Sequence, residues 1–283
     1  MRARVVAFGG LLRQAALKWN ADNCLRLGAS LSYYTVFSLF PLILVILAIV
    51  QLLLSNSEPA RDAILTALTR VTGGFHDEFL NALVAAQRSR RATGAIGAVI
   101  LLLGASWVFG ELVSAFNIIW ELEAPARGSP LEFLRATIFS LALVLAGAFL
   151  LLAAMVISAV LAAIGVLLGQ LAGGALLWGI VSSLVNLVVL TLLFALLLKY
   201  LPQTYVAWRD VWLAAGLTAV LWTLLQGAIA FYIALSNYKD YGAVGAILAL
   251  IAWVYLSSQV LFFGGEFSYA YARRYGSRRG AGG

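Results

Sequence analysis

Long apolar runs alternate with short polar intervals along this chain, a pattern that predicts an all-α polytopic membrane protein. The runs cover roughly residues 30–54, 95–120, 137–168, 176–198, 211–235 and 243–269, each enough for a membrane span of about 20 residues. Ahead of them, residues 1–26 mix basic and apolar positions. Val5, Val6, Leu11, Leu12, Ala15, Ala16 and Trp19 can share one broad face, with Arg4, Arg13 and Lys18 towards the other. That spacing predicts a cytoplasmic amphipathic helix lying on the membrane surface. Between the first two runs, Ile64, Ala67, Leu68 and Val71 repeat at helical spacing, and so do Phe79, Leu80, Leu83 and Val84. Two short helices in the first outer loop are expected.

Lys and Arg set the orientation. With the N-terminus inside, the cytoplasmic segments hold 13 of them and the outer loops 6, which predicts six spans with both termini cytoplasmic. No cleavable signal peptide is expected, because Arg13, Lys18 and Asp22 interrupt the first 26 residues. The third run is almost unbroken Leu, Ala, Val and Ile and is expected at the lipid-facing periphery. Tyr200, Tyr205, Trp208 and Trp212 bracket Pro202 and Arg209 as an interfacial belt would. Residues 270–283, with Arg273, Arg274, Arg278 and Arg279 among glycines, read as a basic cytoplasmic tail. The whole is expected to form a single membrane domain.

Composition agrees: 63% of residues are hydrophobic and 11% charged in a chain of 283, far from the quarter or so charged in a soluble globule. Mean hydropathy is +0.97. The single cysteine, Cys24, excludes an internal disulfide and a thiolate metal cluster. One histidine, His76, beside Asp77 and Glu78 in the outer loop, is a poor start for metal-dependent hydrolysis and suits a helix cap better. A Ser, His and Asp constellation is not expected either, since His76 lies outside and the candidate serines lie in the membrane. No catalytic residue, metal ligand or cofactor is assigned.

The candidate chemistry lies inside the spans. In the first, LGASLSYYTVFSLFPLILVILAIV, Ser30, Tyr34, Phe37 and Pro41 fall on one side, flanked by Tyr33 and Ser38. Pro41 lacks an N–H and its ring presses on the carbonyl of Phe37, so a kink with a freed acceptor is expected. Either Ser38 patches that acceptor locally or the stripe lines a polar cavity. Glu111 and Asn117 in the second span, Asn186 in the fourth, Gln226 in the fifth, and Gln259 and Glu266 in the sixth are polar groups that apolar surroundings penalise. Glu111 and Gln259 are expected about 15 Å from the cytoplasmic boundary, Ser38 about 12 Å, Asn186 and Gln226 about 20 Å, and Glu266 close to the rim. The expectation is a polar cavity open to the cytoplasm, lined by Tyr33, Tyr34, Ser38, Pro41, Glu111, Asn117, Asn186, Gln226, Gln259 and Glu266. No intramembrane Lys or Arg is available to pair the two glutamates, so they either bridge helices as protonated groups or await a proton or cation, Glu111 more so than Glu266.

Four stretches carry a family resemblance: ASLSYYTVFSLFPL in the first span, FNIIWELE closing the second, YLPQTYVAWRDVWLAAGLTAVLW entering the fifth, and YKDYGAVGAILALIAWVYLSSQVLFFGGEF through the sixth. The chain resembles the YihY and BrkB family of bacterial inner-membrane proteins, some long labelled ribonuclease BN. The resemblance implies six spans, a multi-pass inner-membrane location, and an association with serum resistance and with export or lipid-related transport. Gly264-Gly265 stands where Gly-Ala is common in the family, which preserves the small-residue role. The residues offer nothing to support ribonuclease chemistry. The function expected is a transporter or exporter of an amphipathic, charged or lipid-related molecule, not an enzyme, with a non-transporting envelope scaffold as the alternative. Expected partners are membrane lipids and a small-molecule or lipid substrate, with a homo-oligomer possible and no nucleic acid.

Overall fold

The computed structural model describes residues 2–53, 108–122, 165, 174–235 and 242–278. Among these residues the fold is helical, without strands. Helix α1 is Arg2–Ala21 and α2 is Cys24–Leu53. Next come α3, Val108–Ile119, then α4, Gly174–Tyr200, α5, Trp208–Leu235, and α6, Gly242–Arg274. The outer-loop helices, His76, the run 137–168 and most of the run 95–120 lie outside the described residues.

Among the described residues three helices are long and apolar enough to cross a membrane: Trp178–Tyr200, Trp208–Tyr232 and Leu248–Arg274. They carry the apolar runs expected at 176–198, 211–235 and 243–269. Their surfaces explain why lipid suits them. In α4, Ile180, Leu184, Val188 and Leu192 are exposed at four-residue spacing, which places an apolar stripe along one side of the helix. In water that stripe would be a large uncovered patch. The 30-residue α2 continues as one helix past Pro41.

Helix ends follow local chemistry. Asn23, with φ 54°, takes the left-handed conformation between α1 and α2, a place that asparagine tolerates. After α3 the Leu122 N–H donates to the Asn117 carbonyl at 2.9 Å and the Glu121 N–H to that of Ile118 at 2.9 Å, a Schellman ending. Its left-handed position is filled by Glu121, φ 52°, where glycine is usual. Pro202 follows the end of α4, as expected of a residue that cannot continue a helix.

The chain divides into two compact units. The first comprises Met1–Leu25, Leu112–Gln226 and Ser257–Gly283; the second comprises Arg26–Glu111 and Gly227–Leu256. In the first, Phe116, Ile119, Trp120, Leu198, Val211, Phe262 and Phe267 are fully enclosed. Small residues let the helices close up: a side chain at Gly264 would strike Thr218, and one at Gly265 would meet Phe116. Phe8 of α1 meets Phe267 of α6 at 5.6 Å, and Leu11 and Ala15, one and two turns on, are buried. This stripe of α1 therefore packs on protein. In the second unit, Tyr33 stacks at 5.7 Å from Tyr34 and 4.7 Å from Phe37.

The expected basic tail begins later than residue 270, because α6 runs on to Arg274. Beyond it the chain is fastened: the Ser277 N–H and hydroxyl both donate to Asp210, and Arg278 donates to Thr204 at 2.7 Å. A side chain at Gly276 would collide with Asp210 and with the Ala272 backbone, so glycine permits the close turn.

Candidate functional site

The polar residues of the first unit converge on the C-terminal half of α6. Glu121, held by its turn, is one hub. Its carboxylate accepts from the Tyr269 hydroxyl and pairs with Lys18 at 3.2 Å and Arg273 at 3.6 Å. One side chain thus joins α1, α3 and α6. A non-glycine residue in the left-handed region costs about 1 kcal/mol, which three charge-assisted contacts can offset. Tyr269 and the nearby cations hold the Glu121 carboxyl below its ordinary range, the Tyr269 hydrogen bond contributing most. The carboxylate is nonetheless 53% exposed, so solvent screens much of this.

Lys18 is the second hub. It reaches Asp22 at 2.6 Å, one helical turn on, and lies 4.8 Å from the Tyr269 ring centroid. Burial alone would lower its pKa; the Asp22 hydrogen bond, the charges of Glu266 and Asp22, and the Glu121 hydrogen bond outweigh that and raise it. The expectation concerns only Lys and Arg inside the spans, and α1 brings this lysine within electrostatic reach of Glu266 from outside them.

Glu266 and Gln259, two turns apart on α6, both lean on Cys24. The Cys24 thiol donates to Glu266 Oε1 at 3.8 Å, and Gln259 Nε2 donates to the Cys24 carbonyl at 3.3 Å. Glu266 is 0% exposed. Its Oε2 and Gln259 Oε1 are buried without a hydrogen-bond partner among the described residues.

The other candidate residues are placed as follows. Asn117 is occupied structurally: its amide donates to Gln203 Oε1 at 2.9 Å and its carbonyl accepts the Gln203 N–H at 3.2 Å, clamping the loop after α4. Tyr33 is 60% exposed. Tyr34 and Glu111 are half-buried, while Asn186 and Gln226 are exposed. Ser38 donates to the Thr35 carbonyl at 2.8 Å rather than to Phe37, which the proline would have freed. Pro41 lies within α2, but its side chain is outside the described ones. Gln259 and Glu266 are brought together; Tyr33, Tyr34, Ser38, Pro41 and Glu111 belong to the second unit.

Sequence reasoning missed Lys18, Asp22, Cys24, Glu121 and Tyr269 as members of one network. The four-residue spacing of Lys18 and Asp22 was the available signal. Among the described residues no three His, Cys, Asp or Glu side chains are grouped to hold a metal ion.

Comparison with known proteins bears on the whole chain. The Virulence factor BrkB family matches residues 15–283. A UPF0761 membrane protein of Acinetobacter baylyi is 29% identical over 263 residues, covering 89% of this chain and 60% of that protein. Another, of a Psychrobacter species, is 31% identical over 256 residues, covering 88% and 46%. A third, of Alkalilimnicola ehrlichii, is 28% identical over 264 residues, covering 91% and 57%. The chain thus spans about half the length of the curated relatives it matches. No solved structure matches it. A family match from the end of α1 onward, on helices built to meet lipid, makes this chain a membrane protein of the BrkB family.

Proposed function

We propose that the protein moves an amphipathic, charged or lipid-related small molecule across the bacterial inner membrane, with both termini in the cytoplasm and six spans in all. The observation that carries this reading is Glu266: a carboxyl group with no exposure, on a membrane-length helix, with one oxygen unpartnered among the described residues. A carboxyl kept only to bridge helices would spend both oxygens on its neighbours. Ionisable groups retained in apolar helices commonly mark substrate or ion paths. In this reading the path opens to the cytoplasm, the protein is not an enzyme, and its partners are membrane lipids and the substrate.

The test is flux. Purified protein in proteoliposomes is offered a cationic dye, an anionic dye and a fluorescent short-chain phospholipid under an imposed pH gradient. Movement of at least one by the parent protein, and its loss in Glu266→Gln, is the expected result. A second reading, an envelope scaffold, is favoured by the Glu121 and Asp210 networks, which fasten helices and tail. It predicts no flux, together with disturbance of a partner complex when the protein is removed.

A further inference from the structure

Two cations face three carboxylates in the network around the C-terminal half of α6. Lys18 is engaged by Asp22 and Glu121, and Arg273 by Glu121 and the Tyr269 hydroxyl. That leaves Glu266, the most enclosed of the three carboxyl groups, with no cation at ion-pair distance among the described residues. The groups facing it are Lys18 and Asp22, from α1 and the turn that follows, and Cys24 at the start of α2. The thiol is a weak donor and touches only Oε1. Two buried acceptors, Glu266 Oε2 and Gln259 Oε1, each belong to a group whose other atom contacts Cys24, and neither has a donor among the described residues. Lys18 acts on Glu266 only through space, so this buried carboxyl has an acceptor without a donor and no cation bonded to it. One positive charge at Oε2 satisfies the carboxyl.

We propose that Glu266 Oε2 holds one small monovalent cation, a proton or Na⁺, beside Asp22 and Cys24. The use of this cation to drive movement rests on the transport reading, but its presence does not, so binding is measured in the resting protein without flux.

The experiment is infrared spectroscopy of the purified full chain in detergent, with thermal unfolding in parallel, in NaCl and in choline chloride. A protonated-carboxyl band at neutral pH in choline chloride that Glu266→Gln removes identifies a proton. A Tm that rises with NaCl in the parent and not in Glu266→Gln identifies Na⁺. Should Glu266→Gln not fold, Cys24→Ala replaces it: loss of the thiol donor shifts the band or changes the NaCl response. A carboxyl band and a NaCl response that neither foldable variant alters overturn the proposal.

Discussion

The first half of α2 and the second half of α6 are both polar stripes on apolar helices, and they satisfy their polar atoms in opposite ways. In α2 the hydroxyls turn inward: Ser32 donates to Gly28, Thr35 to Leu31 and Ser38 to Thr35, each at 2.8 Å and each within the helix. The same economy recurs in α4 and α5, where Thr191 bonds Leu187 and Thr218 bonds Ala214. In α6 the longer groups leave their own helix: Gln259 and Glu266 go to Cys24 and Tyr269 to Glu121, and even the Ser268 hydroxyl reaches the Asp210 carbonyl. A hydroxyl can return to its own backbone, whereas these amide and carboxyl groups look to other segments for partners. Polarity in a span therefore points to function most strongly where the side chain is not satisfied by its own helix.

That contrast can be broken by substitution. The largest effect is expected for Lys18→Ala, which leaves Asp22 and Glu266 beside each other without their cation; about 3 kcal/mol of stability should be lost in detergent unfolding. Glu121→Gln comes next, at about 1 kcal/mol, because its partly exposed contacts are screened. Thr35→Val and Ser38→Ala should stay within about 0.5 kcal/mol of the parent, since the hydroxyls serve only their own helix. A loss for Ser38→Ala as large as that for Lys18→Ala would erase the distinction between the two stripes.

Acidity sharpens it further. The Glu121 carboxyl is held below its ordinary range, so its contribution is present above the unfolded value of about 4.3 and is lost as pH falls through the lower folded value. Lys18 is raised, so its contribution is complete below the ordinary lysine value of 10.5 and disappears as pH rises through the higher folded value. Unfolding temperature followed against pH should therefore decline at both extremes in the parent, and Glu121→Gln should flatten the acid side.

Much of the fold was legible because apolar runs of this length admit few alternatives. The helices through 178–200, 208–232 and 248–274 lie where hydropathy put them. The packing of α1 was not legible: Phe8, Leu11 and Ala15 make the same pattern whether they meet lipid or protein. Polar candidates fared unevenly for a related reason. Spacing identified Gln259 and Glu266 as one face of α6, but the partners of that face come from far away in sequence, Cys24 lying 235 residues from Gln259 and 242 from Glu266. Asn117 shows the converse, a polar residue near the membrane that proves to clamp a loop through Gln203.

The most direct measurement is the flux of the same three probes through the parent, Glu266→Gln and the double variant Thr35→Val with Ser38→Ala, side by side in proteoliposomes. The account predicts that the parent moves at least one probe, that Glu266→Gln stops it while remaining folded, and that the hydroxyl variant keeps it. A parent that moves none of them, or a folded Glu266→Gln that moves the probe as fast as the parent, would contradict it.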